Sequence, residues 1–461
     1  MKAAATLEQL PSEKAPKDKI GFVRMGLWQS QSISMACNVI IIGFLMIYCT
    51  DTLKMPAALV GTLLMASKLF DGVTDLFAGF LVDRTNTKMG RGRPYSLSII
   101  GVWICTWLMF AVPPEYSLFA KSAWVFVTYV FVNAVFATFL NASGTVYMVR
   151  AFSKQEHYVA ISSYGNIFVL LAVVVVNVSF PMALGNLATS PEGWKTLIAI
   201  YGIPLLLIGL LRFFFIKETN NVDVEVGQKI SLKDVGTVLK TNRYIYIIAI
   251  MTFVSNFVGN MGVNVYYFTY IVKDIGLMGP LALTQIVILP VLFSFPAIIR
   301  KFSTKKLIIA GIFLTSLGYL INFIAGDNFG ILVVGAILTG AGSVPVSMLA
   351  GLLIIECAEY NEWKGKHRME GTLTSITSFT TKLGAAAGTG ILGILLSIAG
   401  HTGDLATQPE SAEMMIRLLF GIVPMALFLL TALVLRFYKL DVLMPRILEE
   451  NEERRNNLKM K

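Results

Sequence analysis

Long apolar runs separated by short polar stretches dominate the chain. A helix needs about 20 residues to cross the hydrocarbon core of a bilayer, and twelve runs approach or exceed that length. They cover residues 21–50, 57–82, 95–113, 122–145, 158–184, 195–216, 244–273, 279–299, 307–325, 329–357, 371–400 and 414–436. The pattern predicts an all-α polytopic membrane protein with twelve transmembrane helices.

A longer polar stretch separates the sixth run from the seventh. Residues 217–243 begin with the polar KETNNVDVEVGQK and continue with the amphipathic ISLKDVGTVLK, which is typical of a cytoplasmic linker carrying a short interfacial helix. We therefore expect a tail at 1–20, a six-helix bundle at 21–216, a linker at 217–243, a second bundle at 244–436 and a tail at 437–461. The first tail lacks a signal-peptide pattern, so the first span is expected to act as an uncleaved insertion signal.

Composition and charge distribution support a membrane protein and predict its orientation. The 461 residues are 55% hydrophobic and only 14% charged, with a mean hydropathy of +0.69, which excludes an ordinary soluble domain. Most Lys and Arg residues fall in the tails and in the loops on one side. The loops on the other side hold Lys54, Lys121, Lys195 and Lys273. This asymmetry predicts a multi-pass protein of the cell membrane, plasma or inner, with both termini in the cytoplasm. The net charge of +10 then reflects topology and contact with the lipid bilayer, with no need for nucleic acid.

Three charged residues lie inside the second run. Lys68, Asp71 and Asp75 share one helix face. A carboxylate at the bilayer centre costs about 2.5–3.5 kcal/mol, so such residues usually mark an ion or substrate path. Two acids against one base leave a negative charge that a coupling cation would neutralise. An internal ion pair that joins this helix to a neighbour is the alternative.

Two stretches carry a family resemblance. FDGVTD and GFLVDRTNTKMGRGRPY, within residues 70–95, resemble the second helix and the following loop of the glycoside-pentoside-hexuronide:cation symporters, the melibiose-permease group of the major facilitator superfamily. AEYNEWKGKHRMEG and TLTSITSFTTKLGAAAGTGILG, residues 358–393, resemble the loop before helix eleven and that helix, most closely in the glucuronide-transporter branch. The resemblance implies a major facilitator fold of two six-helix bundles, with the substrate between them.

The resemblance also implies roles for individual residues. Asp71 and Asp75 match the family's cation-binding pair, and Thr74 replaces the family's Asn between them as an oxygen donor for the cation. Lys382 in TTKLG matches the family's helix-eleven lysine. We expect Lys382 to pair with Asp71 or Asp75 across the two halves, with a purely structural bridge as the alternative. The family's sugar-binding charges are absent: the register places Met35 on helix one, Leu140 or Asn141 on helix four and Gly165 on helix five. Galactoside recognition is therefore in doubt.

Polar side chains in the spans are candidates for binding the substrate. Amides can donate to and accept from sugar hydroxyls at once, and Asn256, Asn260 and Asn264 recur at a spacing of four, which predicts one stripe. Packing between helices is the alternative. The candidate substrate-binding residues are Asn38, Asn141, Asn166, Asn260, Asn264 and Ser378. The nearby aromatic cluster is expected at an outer interface belt, with stacking on a pyranose face as the alternative. It comprises Tyr266, Tyr267, Phe268 and Tyr270.

Charged residues in two loops on the predicted cytoplasmic side are candidates for a gate. We expect ion pairs between the loop at 83–94 and the loop after the tenth run, with a solvated charge run as the alternative. The residues are Asp83, Arg84, Arg91, Arg93, Glu359 and Arg368.

Enzyme chemistry has no sequence support. There is no P-loop and no hydrolytic triad, the four cysteines lack metal spacing, and the three histidines lie in loops. We therefore expect no cofactor and no bound metal other than the coupling Na⁺ or H⁺. The sequence predicts a monomeric secondary transporter that moves a glycoside, pentoside, uronide or short oligosaccharide with a monovalent cation. A lysophospholipid carrier on the same scaffold and an uncoupled exporter or sensor are the alternatives.

Overall fold

The computed structural model describes most of the chain. The described residues are 20–85, 87–152, 157, 161, 165–219, 236, 240, 242–299, 301–366, 369–403, 405 and 407–459, without the side chains of 69, 71–73, 75–77, 79–80, 83, 145, 292–293, 296–297, 370–371 and 455–459. In these ranges the regular structure is helical, and Thr87 and Gly90 form an isolated bridge. The predicted tail at 1–20, except Ile20, and most of the linker lie outside the described residues.

Each of the twelve predicted runs contains a helix. In chain order these are α1 Phe22–Thr52, α2 Ala57–Arg84, α3 Ser98–Met109, α4 in the consecutive pieces Leu118–Val130, Phe131–Ala137 and Thr138–Ala151, α5 Asn166–Leu187, α6 Pro191–Phe215, α7 Tyr244–Ile271, α8 Thr284–Ile299, α9 Thr304–Ala325, α10 Phe329–Trp363, α11 Glu370–Ile398 and α12 Glu410–Leu435. Among the described residues, nine helices are long and apolar enough to cross a membrane. The others are α2, which carries the charges, and the shorter α3 and α8.

Glycines allow α11 to lie against both α2 and α7. A Cβ on Gly61 of α2 would stand 2.7 Å from the Gly390 carbonyl oxygen of α11. A Cβ on Gly388 of α11 would stand 2.1 Å from the Phe257 carbonyl oxygen of α7. Membrane helices associate through such small residues because they let backbones approach closely. The contact at Gly61 joins a helix of the first six to one of the last six, whereas the contact at Gly388 lies within the last six.

The seventh helix is interrupted in its middle. Regular α-helix stops at Gly259 and resumes at Val263, and Gly262 has a φ of +71°, a conformation that glycine adopts without strain. The expected stripe of three asparagines is therefore wrong beyond Asn260, since the interruption separates Asn264, which is exposed. Discontinuous helices of this kind occur at the binding sites of secondary transporters.

The aromatic cluster of α7 is buried, so its expected place in an outer belt is wrong. Tyr266, Tyr267 and Phe268 are each at most 1% exposed, and Tyr270 is 9% exposed. The hydroxyl groups of the three tyrosines find partners inside the protein, as buried tyrosines usually do. The Tyr267 hydroxyl, for example, donates to the Gly326 carbonyl oxygen at 2.7 Å.

The segment treated as a C-terminal tail forms a further helix, α13 Leu440–Lys459. The Tyr438 hydroxyl just before it donates to Glu356 of α10 at 2.6 Å, and Asn451 within it donates to the Glu359 carboxylate at 2.9 Å. Ile447 is 1% exposed. The helix therefore packs against the end of α10. We call the membrane face where α1 begins and α13 lies the tail face, and the other the opposite face.

Candidate transport site

A cavity of about 320 Å³ lies between the first six helices and the last six. We call it the central cavity. Its lining combines apolar side chains with an ammonium, two amides and two hydroxyls. It includes Val39, Met46, Lys68, Tyr129, Asn133, Asn260 and Thr389. Side chains from both halves thus surround one space, as alternating access between two bundles requires.

Lys68 connects the two halves at this cavity. Its Nζ donates to Thr389 Oγ1 of α11 at 2.8 Å and to Asn260 Oδ1 of α7 at 3.2 Å. Thr389 Oγ1 in turn donates to the Asn260 carbonyl oxygen at 3.2 Å. This bond satisfies the Asn260 carbonyl oxygen, which lies where α7 is interrupted. The ammonium of this α2 residue therefore has oxygen partners on two helices of the other half, α7 and α11.

The predicted cation pair lies on α2, on the turns that follow Lys68. The side chains of Asp71 and Asp75 lie outside the described residues. Thr74 is half-buried, and its hydroxyl donates to the Phe70 carbonyl oxygen at 3.3 Å. Lys382 is half-buried on α11, the helix that packs on α2. Its pairing with the carboxylates stays a prediction.

A second cavity, of about 390 Å³, lies among α1, α4 and α6. We call it the N-terminal cavity; its lining includes Trp28, Gln31, Met35, Asn141, Gly144 and Arg212. Met35, Leu140 and Asn141, the positions that align with sugar-binding charges on helices one and four of the family, all line it. Gly165, the helix-five position, contacts α1 instead, because a Cβ there would stand 2.6 Å from Gln29 Nε2.

A third cavity, of about 520 Å³, lies among α7, α9, α10, α11 and α12. Hydroxyl and amide side chains are frequent in its lining, among them Ser255, Asn256, Thr315, Ser343 and Thr381. The hydroxyls of Ser255 and Thr315 are buried, with no hydrogen-bond partner among the described residues.

The remaining candidate substrate residues are distributed differently. Asn38 is 1% exposed, and its Nδ2 donates to Thr106 Oγ1 of α3 at 2.8 Å, which favours a packing role. Asn166 at the start of α5, Asn264 and Ser378 are exposed. Of the six candidates, Asn141 and Asn260 line described cavities.

Two carboxylates fix the candidate gate residues at the tail face. Glu218, just after α6, accepts the backbone N–H groups of Arg91, Gly92 and Arg93 at 2.6–2.9 Å. The guanidinium of Arg93 also donates to the Phe213 carbonyl oxygen and stacks on its ring. Glu359 accepts from Asn451 of α13, as described above. Arg84 is exposed. The Asp83 side chain and Arg368 lie outside the described residues, so the gating ion pairs stay a prediction.

At the opposite face, hydrogen bonds join α1 directly to α7. The Tyr270 hydroxyl donates to Asp51 Oδ2 at 2.5 Å, and the hydroxyls of Thr50 and Tyr266 lie 2.9 Å apart. His401 packs edge-on against both tyrosine rings, with centroids 5.4 and 5.3 Å away. We call these five residues the latch. It joins the two halves about one turn beyond the central cavity, towards the opposite face.

Sequence reasoning missed Asp51 and Arg212 as functional candidates. Both have a visible signal, since each is a charged residue within an apolar helix, Asp51 near the end of α1 and Arg212 near the end of α6. Proximity to a loop made each resemble an ordinary terminal charge.

Known proteins resemble this chain over most of its length. The sequence profile of the family described as MFS/sugar transport protein matches residues 31–442. The isoprimeverose transporter of Lactiplantibacillus pentosus is 27% identical over 92% of this chain and 91% of its own. The glucuronide carrier protein homolog of Escherichia coli (strain K12) is 26% identical over 86% of this chain and 88% of its own.

Solved structures confirm the fold. The nucleoside transporter NupG superposes with a TM-score of 0.63 at 14% identity, over 88% of this chain and 98% of its own. A bacterial homologue of the human lysosomal transporter Spinster superposes with a TM-score of 0.64 at 13% identity, over 93% and 97%. The major facilitator fold is thus confirmed, and the chain belongs to the MFS/sugar transport family, within the glycoside-pentoside-hexuronide:cation symporter group that residues 70–95 and 358–393 resemble.

Proposed function

We propose that the protein is a secondary transporter that couples the movement of a sugar across the cell membrane to Na⁺ or H⁺ by alternating access. The observation that carries this proposal is the central cavity, which both halves line and beyond which the latch joins the two halves on one side. Inside that cavity, the ammonium of Lys68, on the helix that carries the predicted cation pair, donates hydrogen bonds to α7 and α11. Family membership and the names of the relatives agree with this function.

The cation would bind at Asp71 and Asp75 with help from Thr74. Without it, two carboxylates near Lys68 keep a negative charge that disfavours closing the site in a low-dielectric environment. With it, Lys382 can approach the same turns of α2 from the other half. The sugar supplies further contacts that exist only in the closed site. Each ligand therefore raises the affinity for the other by the same factor.

The substrate would be a glycoside, pentoside, uronide or short oligosaccharide, as the names isoprimeverose transporter and glucuronide carrier suggest. Asn133, Asn141 and Asn260 offer amides that can donate to and accept from sugar hydroxyls. We further propose that the tail face is cytoplasmic, that the membrane is the plasma or inner membrane, and that the protein is a monomer without a cofactor. The lysophospholipid alternative is not favoured, because the family and its named relatives are sugar transporters.

Gradient-driven uptake into proteoliposomes tests this function. Labelled isoprimeverose, methyl glucuronide and methyl glucoside would be offered under an imposed Na⁺ or H⁺ gradient. We expect accumulation that follows one ion and collapses in Asp71→Asn and in Asp75→Asn. Asp274→Asn, the same change at an exposed loop residue, serves as the control and should keep full uptake. Background uptake of every sugar, or accumulation that ignores both gradients, would contradict the proposal.

A further inference from the structure

A groove of about 210 Å³ lies between α9 and α12. We call it the lipid-side groove. Phe313 of α9 and Leu433 of α12, which both line it, are 52% and 50% exposed, and both helices are long and apolar enough to cross a membrane. Exposed apolar surface on such helices is the surface that meets lipid. The groove therefore opens towards the bilayer. Its full lining is Ile309, Phe313, Leu429, Ala432, Leu433 and Arg436.

A change in side-chain size explains why the groove forms. Phe428 of α12 stacks on Tyr319 of α9, with ring centroids 5.9 Å apart. One turn nearer the tail face, Ala432 takes the place of Phe428 on the same face of α12. A methyl group cannot fill the space that an aromatic ring fills. The groove therefore extends from this aromatic contact towards the tail face.

Each wall of the groove carries a cation at its tail-face end. Arg436 lies three residues beyond Leu433, and Lys306 lies three residues before Ile309. Because residues three apart share a helix face, each cation continues a row of apolar side chains that lines the groove. Both cations are exposed, and neither forms an ion pair with an acid in the part of the chain that the structure describes.

A neighbouring lysine holds the two walls together. Lys305 Nζ donates to the carbonyl oxygen of Arg436 at 3.1 Å and to that of Tyr438 at 2.5 Å. The first turn of α9 is thereby joined to the end of α12. The backbones that carry Lys306 and Arg436 are consequently held side by side at the mouth of the groove.

The exposed charge around this mouth is positive. Residues 301–306 and 436–439 contain five Lys or Arg residues and no Asp or Glu. Two acids lie near Tyr438, but Glu356 is buried and accepts from the Tyr438 hydroxyl, and Asp441 is half-buried at the start of α13. An apolar groove thus ends in a basic mouth, which complements a molecule with an anionic head and an apolar chain.

We propose that the lipid-side groove binds one anionic phospholipid. Its phosphate accepts hydrogen bonds from the Arg436 guanidinium, whose fork matches two phosphate oxygens, and is attracted by the Lys306 ammonium. One acyl chain fills the space beside Ala432. Basic pockets between transmembrane helices bind anionic head groups in the same manner. The inference needs the membrane location alone and is independent of the sugar and of the coupling cation.

Quenching of tryptophan fluorescence by brominated lipids tests this site in the full-length protein. Phe313→Trp places an indole in the groove. Leu207→Trp is the matched control, because Leu207 is 60% exposed on α6 and lies eight residues from the tail-face end of its helix, against nine for Phe313. Each variant would be reconstituted in phosphatidylcholine with a minor fraction of phosphatidylglycerol. Bromine would be carried by one lipid or the other, and the wild-type signal would be subtracted.

The measured quantity is the association constant of phosphatidylglycerol relative to phosphatidylcholine at each indole. We expect about 25 for Phe313→Trp, because each of two cations contributes about fivefold, and a value close to unity for Leu207→Trp. In the Phe313→Trp protein, Lys306→Gln and Arg436→Gln should each lower the constant about fivefold. Lys88→Gln, the same change at an exposed lysine of the loop after α2, should leave it unchanged.

Three results would overturn the inference. The first is a constant close to unity in Phe313→Trp itself, a result that needs no charge variant. The second is a preference for phosphatidylglycerol that survives the combined Lys306→Gln and Arg436→Gln change. The third is an absence of quenching by either brominated lipid, because a protein surface, such as a second copy of the chain, would then cover the groove.

Discussion

Removing one hydroxyl from the latch should open the opposite face. In Tyr270→Phe the ring stays in place, and only the hydrogen bond from the Tyr270 hydroxyl to Asp51 is lost. This bond joins α1 to α7 and therefore exists only while the two halves touch on this face. Its loss raises the free energy of the closed opposite face relative to the open one.

The magnitude follows from the type of bond. A net hydrogen bond contributes about 1 kcal/mol with a neutral acceptor and up to about 3 kcal/mol with a charged one. Because each 1.4 kcal/mol is about tenfold in an equilibrium constant, the ratio of open to closed opposite face should rise about 5- to 150-fold. The Thr50 hydroxyl, 2.6 Å from Asp51 Oδ1, still satisfies part of the carboxylate, which keeps the effect within this range.

Spin labels at Glu115 and Glu410, both exposed on the opposite face, would report the distance between the halves. The labels require a variant without the four native cysteines. We expect the longer-distance population to grow in Tyr270→Phe. Tyr267→Phe is the matched control, because its hydroxyl donates to Gly326 within the last six helices and its loss should not shift the populations. Identical distributions in Tyr270→Phe and the wild type, or an equal shift in Tyr267→Phe, would refute the latch.

Three further predictions concern packing, coupling and pH. Gly61→Val should lower the melting temperature and the transport rate, because its Cβ would collide with the Gly390 carbonyl oxygen. Gly351→Val is the control and should leave the fold intact, because a Cβ there meets nothing within 4 Å. Equal melting temperatures of the two variants would contradict the contact between α2 and α11. Lys68→Met should reduce gradient-driven uptake at least about tenfold at normal expression, because charge-assisted bonds to α7 and α11 are lost; unchanged uptake would argue against coupling through it. Burial lowers the pKa of His401 below its ordinary 6.5, so the closed face should keep its full stability above about pH 6.5 and lose it as pH falls through the lowered pKa. The same spin labels would measure this loss of the closed population at low pH, which should be smaller in His401→Phe than in the wild type. The same pH profile in both proteins would contradict the prediction. Tyr266, Tyr270 and the Asp51 carboxylate are the titratable groups that face His401, and Asp51 opposes the shift.

The order and extent of the helices were predictable from hydropathy. Each long apolar run contains a helix whose ends lie within about eight residues of the predicted ones, because a helix satisfies its own backbone groups in a lipid environment. The charged residues of α2 were recognisable because charged side chains are rare in apolar runs, where their burial costs free energy.

Features that depend on packing between distant segments were not predictable. Tyr266 and Tyr270 look like interface residues until Thr50 and Asp51 of α1 are brought to their hydroxyls. The C-terminal segment looks like a tail because its mean hydropathy is low, and only Glu356 and Glu359 of α10 reveal why it docks. The predicted stripe of asparagines on α7 is wrong beyond Asn260, because the positive φ of Gly262 interrupts the helical period.

Arg212 shows where a sequence signal existed without an interpretation. A single arginine near a helix end normally extends to the headgroups. Here α1 and α4 enclose it, and its burial depends on Trp28 and Tyr147, which lie 184 and 65 positions away along the chain. No local pattern contains that information.

Thermodynamic linkage between sugar and cation tests the central claim most directly. Titration of a transported sugar into the purified protein, with and without saturating coupling ion, gives the factor by which the ion changes sugar affinity, and the reverse titration gives the second factor. A symporter of the proposed kind predicts two equal factors above one that fall to one in Asp75→Asn. Sugar affinity that is independent of Na⁺ and of pH would contradict the account.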